Sequence, residues 1–344
     1  MRLTTGLLVL PAVSANRLAD IAKLAERTGY DYFWLADERF FREVYASLTH
    51  VAHVTERIKL GPCVTDPYSR HPALTAMAIA TLDEISGGRA VLGIGAGVSG
   101  FRELGIVREK PAVALRESVE LIRRLMRGET VTYKGERVTF EDGKLDFVPL
   151  RADVPIYVAS QQLHGCRVAG RVADGAMMQG CVAEPLLRFF RETVAEGVRQ
   201  AGRSPESIDL AARINVCVHD DPKVARDVMR PGIVRSLVAQ RPEFFTFRTA
   251  GVTVPRALAD KVLSLPYTHD PAPLAAIAHE VPDDLVDAVC LTGPPDTVAQ
   301  GVIRLARGSI TQLTVYPIAP DGRTDLVVER FQTEVMPRLR VAGI

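Results

Sequence analysis

The chain has 344 residues, 47% hydrophobic and 24% charged, which suits one large α/β domain and excludes a disordered chain. A formal net charge of +1, without any run of like charge, leaves no footprint for nucleic acid or an anionic membrane surface. Cys63, Cys166, Cys181, Cys217 and Cys290 are odd in number and widely spaced, with no CxxC, so neither a disulfide framework nor a zinc site is expected.

These thiols point to a reducing cytoplasm, and no apolar stretch approaches the ~20 residues of a membrane span. The opening "MRLTTGLLVLPAVSA" has the outline of a secretory leader, with Arg2, an apolar run and small residues after it. The run is short, however, and Pro11 interrupts it. "SANRLADIAKLAERTG" follows at once, with Ser14 as N-cap and Gly29 as stop, so Leu3 to Leu10 reads as a first buried strand.

"YDYFWLAD" (30–37) is the second strand, followed by a helix around "REVYASLTHVAHVTE". "RIKLGPCVT" leads into "PALTAMAIATLDEIS", a helix with no charge before Asp83 and therefore largely buried. "RAVLGIG" (89–95) precedes a helix in which Leu115, Val119, Ile122 and Met126 recur at helical spacing and which Gly128 closes. "TVTYKGERVTFEDGKLDFVP", within 129–153, reads as a small hairpin. "VPIYVAS" (154–160), "DGAMMQG" (174–180), "IDLAARINVCVH" (208–219) and "ITQLTVYPI" (310–318) complete eight apolar strands, each with helical sequence after it.

Strands apolar along their whole length, with helices between, specify a parallel sheet covered outside. Eight units predict an α/β fold of the (β/α)8 TIM-barrel type, one domain over 1–344. Insertions fall at about 129–153 and 220–295, the second mostly helical and expected over the barrel mouth. A doubly wound open sheet is the rival architecture.

In a parallel barrel the chemistry sits at the C-terminal ends of the strands. There "GAGVSG" (95–100) satisfies G-x-G-x-x-G, but Pro111 opens the next helix, and Glu117 and Glu120 lie inside it rather than at a strand end. That is not the dinucleotide fingerprint. Gly93, Gly95 and Gly97 either bare the backbone to a flat ligand or only shape a turn. His50 and His53 are spaced as half a metal site, yet no third ligand appears, and no metal is expected. Asp37 and Glu38 end the second strand, where carboxylates serve acid–base chemistry or cap a helix. The stretch "GPCVTDPYSRHP" (61–72) is unusual for a strand end: three prolines break it.

On "ADERFFREVYASL", "GPCVTDPYSRHPALTAMAIATLDEISGGRAVLGIGAG" and "VPIYVAS…GRVADGAMMQG", the chain resembles the bacterial luciferase-like superfamily, and within it the methylenetetrahydromethanopterin reductase-like branch. The resemblance spans nearly the whole chain and is most specific from Ile58 to Gly97. It implies a TIM barrel that binds FMN or the deazaflavin coenzyme F420 at its mouth. It also implies a bulged third strand with a non-prolyl cis peptide at Cys63–Val64, pressed against the back of the ring.

Carried over residue by residue, Asp37 matches an acidic position near ring and substrate, with Glu38 beside it. Gly61, Cys63, Val64 and Thr65 match the cofactor-supporting third strand. Gly95 and Gly97 match glycines beside the cofactor tail, and Val158, Ala159 and Ser160 the strand flanking the ring. Gly175 to Gly180 match the approach to a helix N-terminus that receives a phosphate.

Three positions depart from the methanopterin reductases. Leu8 replaces a strand-one acid, Ala36-Asp37-Glu38 replaces an "SDH" or "TDH", and "QQLHG" replaces an Arg-Gly-Pro-like turn. The implied activity is hydride transfer between a reduced flavin or deazaflavin and a small organic substrate, without pterin as the expected substrate. Asp37 or Glu38 then donates the proton or orients the substrate. An FMNH2-dependent monooxygenase and a non-catalytic flavin-binding protein are the alternatives. Relatives also imply a homo-oligomer, dimeric or larger, paired through the helices after strands two and three.

Overall fold

The structure is a computed structural model and describes residues 3–97, 101–268 and 270–344. Residues 98–100, the end of the glycine-rich motif, lie outside the described residues.

The strands, in chain order, are β1 (Thr4–Val9), β2 (Tyr32–Leu35), β3 (Lys59–Pro62), β4 (Leu92–Gly95), β5 (Val131–Lys134), β6 (Thr139–Gly143), β7 (Ile156–Ala159), β8 (Gly175–Gln179), β9 (Asp209–Val218), β10 (Cys290–Gly293) and β11 (Gln312–Pro317). Two compact units divide the chain, and the division passes through β1, β8, the helix Glu184–Gln200 and β9.

One unit comprises Gly6–Met177 and Thr193–Leu210. Its β1, β2 and β3 pair in parallel, with Val9 opposite Leu35 and Leu35 opposite Pro62. Bridges Leu60–Ala90 and Thr65–Ile94 join β3 to β4, and β4 continues in parallel to β7 and β8, with Gly95 opposite Ala159 and Ala159 opposite Met177. Sequential strands are therefore neighbours, and their C-terminal ends lie level on one edge.

Leu7, Phe33, Trp34, Leu60, Leu92, Ile94 and Val158 are buried, as whole-length apolar strands require. Ser14 caps the helix Ala15–Thr28 by accepting from Arg17 N at 3.2 Å, and Gly29 ends it at φ 99°, as the sequence predicts. Helix Pro72–Ile85 is capped by His71, whose Nδ1 accepts from Ala73 N at 3.1 Å. At 129–153, β5 and β6 form an antiparallel pair.

The other unit comprises Met1–Thr5, Met178–Glu192 and Ala211–Ile344. In it β9 pairs in parallel with both β10 and β11. The strand Cys290–Gly293 was not anticipated: "CLTG" is short, and its Gly-Pro-Pro sequel reads as a turn. Between β9 and β10 the described residues form six short helices, from Pro222–Asp227 to Asp283–Asp287. Within them Phe247 is fully buried and Phe245 packs edge-on against Phe189, centroids 5.3 Å apart. All five cysteines are buried, and none forms a disulfide. Among the described residues no helix is long and apolar enough to cross a membrane, and no cluster of three metal-ligating side chains occurs.

Candidate active site

The level strand ends of the first unit gather most of the residues singled out from sequence. The third strand leaves its ladder after Pro62, and the peptide bond Cys63–Val64 is cis, as expected. Both flanks are tied to neighbouring strands. Cys63 N donates to Leu35 O at 2.7 Å, Thr65 N donates to Gly93 O at 3.0 Å, and Gly95 N donates to Thr65 O at 2.9 Å. Cys63 and Thr65 are buried, whereas Val64 between them is half-exposed.

Glycine makes this approach possible. A Cβ on Gly93 would lie 2.4 Å from Pro62 O, and one on Gly95 would lie 2.7 Å from Val64 Cγ2. The missing side chain of Gly95 thus makes room for Val64. A Cβ on Gly61 would lie 1.6 Å from Val91 O, so this glycine serves strand packing. Gly97, at φ +61°, turns the chain beside the Phe101 ring.

The prolines of "DPYSRHP" frame a turn closed by Asp66. Its carboxylate accepts from Tyr68 N at 2.7 Å, Ser69 N at 2.8 Å and Ser69 Oγ at 2.6 Å, and pairs with Arg39. Arg39 also stacks over Phe101, 4.2 Å from its centroid, so one guanidinium fastens the loops after β2, β3 and β4. Its role was invisible in sequence, because its partners stand 27 and 62 positions away.

Asp37 stands two residues past the end of β2 and is partly buried. Burial, the strongest influence, pushes its carboxyl above the ordinary range. Thr65, Arg70 and Arg39 oppose that shift, and Glu43 adds to it. Glu38 is half-buried. Arg70 pairs with Glu43 at 2.8 Å and lies over the Tyr45 ring. Tyr45 escaped the sequence reading; a lone aromatic in an amphipathic helix carries no signal.

Ala159 and Ser160 reach the same edge, while Val158 is buried one residue earlier. The Ser160 hydroxyl accepts from Gln162 N at 3.1 Å and occupies the space a Cβ on Gly165 would need. Gly175 opens β8 at the end away from these termini and packs under the Tyr157 ring. Gly180 belongs to the second unit, where its N–H donates to Arg213 O at 2.9 Å. The packing gap bounded by Ile79, Leu92, Ile122 and Ile156 lies away from the strand-end cluster.

Parallel strands alternating with helices, with polar side chains gathered beyond the strand ends, are the layout of a (β/α)8-barrel enzyme. Within that class the chain belongs to the luciferase-like monooxygenase family, whose sequence model matches residues 3–312.

Its curated relatives include a 5,10-methylenetetrahydromethanopterin reductase of Archaeoglobus fulgidus, 35% identical over 97% of this chain and 99% of the relative. They also include an F420-dependent glucose-6-phosphate dehydrogenase of Kineococcus radiotolerans, 30% identical over 94% and 93%. Among solved structures, the coenzyme F420-dependent tetrahydromethanopterin reductase of Methanopyrus kandleri superposes with a TM-score of 0.86. It is 27% identical, covering 98% of this chain and 99% of that one. The barrel expected from sequence is the fold of the chain. The reductases and dehydrogenase found agree with the expected flavin- or deazaflavin-dependent oxidoreductase.

Proposed function

We propose that the protein is an F420-dependent oxidoreductase that moves a hydride between the reduced deazaflavin and a small organic substrate at the strand ends of β2, β3 and β4. The observation that carries this reading is the Asp37 carboxyl, partly buried and held above its ordinary range beside the fixed Cys63–Val64–Thr65 bulge. The relatives named above supply the choice of F420 over FMN.

The residues fit a flat ring. Val64 presents a half-exposed apolar side chain, and its own backing is the side-chain-free Gly95. Gly97 adds no side chain beside it. When bound, the deazaflavin supplies the hydride donor or acceptor. Cys63, Val64 and Thr65 would support the ring, Ala159 and Ser160 would flank it, and Gly95 and Gly97 would lie near its tail.

Asp37 keeps its proton to higher pH than an ordinary aspartate, which suits donation to a substrate heteroatom as the hydride arrives. Glu38 would orient that substrate. Orientation and exclusion of water are the chain's other contributions. Leu8, buried where the methanopterin reductases carry an acid, favours an imine, carbonyl or alcohol substrate without a pterin.

The proposal extends to a single domain with insertions at 129–153 and 220–295, the latter setting substrate choice. Buried cysteines without a disulfide support a reducing cytoplasm. Leu74 and Met77, 51% and 45% exposed on helix Pro72–Ile85, support pairing of two copies. Fluorescence titration with F420 and with FMN, repeated on D37N, tests the central reading. D37N is expected to bind F420 like the wild type but to turn over about 100-fold more slowly. Full turnover in D37N removes Asp37 as the donor.

A further inference from the structure

Behind Asp37 lie two hydroxyls whose state matters to its proton. Tyr45 comes from helix Val44–Val54, and its hydroxyl is buried with no hydrogen-bond partner. Thr65 is fully buried, and its Oγ1 likewise has no partner. Unpaired buried hydroxyls are uncommon and call for a physical reason.

Both belong to one local cluster. The Thr65 side chain lies against the Asp37 carboxyl and against the Tyr45 hydroxyl, while completing a bond of normal geometry with neither. Its backbone is pinned on both sides, to Gly93 O and Gly95 N. Tyr45 lies beneath Arg70, whose guanidinium is 4.9 Å from the ring centroid. The charged groups around Asp37 are Arg70 and Arg39, which favour its ionised form, and Glu43, which opposes it. The same Arg70 and Glu43 act on Tyr45, and Glu38 acts on Arg39.

We propose that Tyr45 and Thr65 are positioning residues for Asp37, forming a hydroxyl line Asp37–Thr65–Tyr45 that reverses direction as Asp37 loses and regains its proton. The inference rests on the reading of Asp37 as proton donor. With Asp37 ionised, Thr65 donates to the carboxylate and accepts from Tyr45. With Asp37 protonated, the carboxyl donates to Thr65, which donates to the Tyr45 oxygen. Only hydroxyl hydrogens rotate. The proton given to substrate is replaced from solvent, and no bond between heavy atoms forms or breaks. A hydroxyl is the group for this place because it both donates and accepts.

Infrared titration of the protein without cofactor tests the line, since the carboxyl C=O band absent from D37N reports Asp37 alone. Removing a donor to the carboxylate favours the protonated form, so T65V and Y45F should move half-titration to higher pH. The shift expected for T65V corresponds to a roughly tenfold lower proton concentration, that for Y45F is smaller, and T65S keeps the wild-type midpoint. Midpoints unmoved or lowered in T65V and Y45F overturn the proposal, as they would if Thr65 served only a bound ring. Y45F deletes one oxygen and decides the matter alone should T65V fail to fold. The donor reading fails separately, by full turnover in D37N, and the infrared midpoints still judge the line.

Discussion

At the scale of the residue, the proposed chemistry turns on Asp37. Its position was legible in sequence, since an acid ending an apolar strand stands at the functional edge of a parallel sheet. The upward shift of its carboxyl was not, because burial and the company of Arg70, Arg39 and Glu43 arise only in the fold.

The raised carboxyl has a consequence for stability. The unfolded chain ionises Asp37 first, so above the ordinary value of 3.8 the folded state binds more protons, and this group's contribution to stability falls as pH rises through the raised value. Asn at this position carries no such cost. Thermal melts of D37N and wild type should therefore diverge in favour of D37N between pH 4 and pH 8. A constant difference across that range would contradict the burial of this charge.

At the scale of elements, the third strand shows how a local irregularity is held. The proline-broken "GPCVTDPYSRHP" announced it, and the glycines of the fourth strand receive it: Gly93 admits Pro62 O, and Gly95 admits Val64. Sequence left two readings of these glycines, a bare floor for a ligand or a turn. Packing adds a third role, because the space belongs to the neighbouring strand. The substitution G95A should weaken F420 binding at least tenfold by displacing Val64, and adding V64A should recover part of it. Equal losses in the single and double variants would detach Gly95 from the bulge.

The hairpin shows the opposite case. Glu117 lay inside a helix and carried no signal, yet it is 2% exposed and accepts from Glu136 N, Arg137 N and Val138 N at 3.0, 2.8 and 3.0 Å. Gly135 is required there, since a Cβ would come 2.4 Å from Glu117 Oε2. Contacts made 19 to 21 residues away cannot be read from helical periodicity. E117A leaves three amides without their acceptor and should cost about 3 kcal/mol in chemical denaturation. A loss below about 1 kcal/mol would mean that water replaces the carboxylate.

At the scale of the whole molecule, the alternation of apolar strands and amphipathic helices was enough to read the barrel class, because the parallel strands are apolar and mostly buried. Cys290–Gly293 escaped notice because four residues before a Gly-Pro-Pro turn lack the length that marks a strand. Choice of cofactor stands at this scale too, since it depends on several strand ends at once. Parallel fluorescence titration of the purified apoprotein with F420 and with FMN tests it most directly. The expected result is saturable F420 binding at least tenfold tighter than FMN. Tighter FMN binding, or no binding of F420, would contradict the assignment of this chain to deazaflavin-dependent hydride transfer.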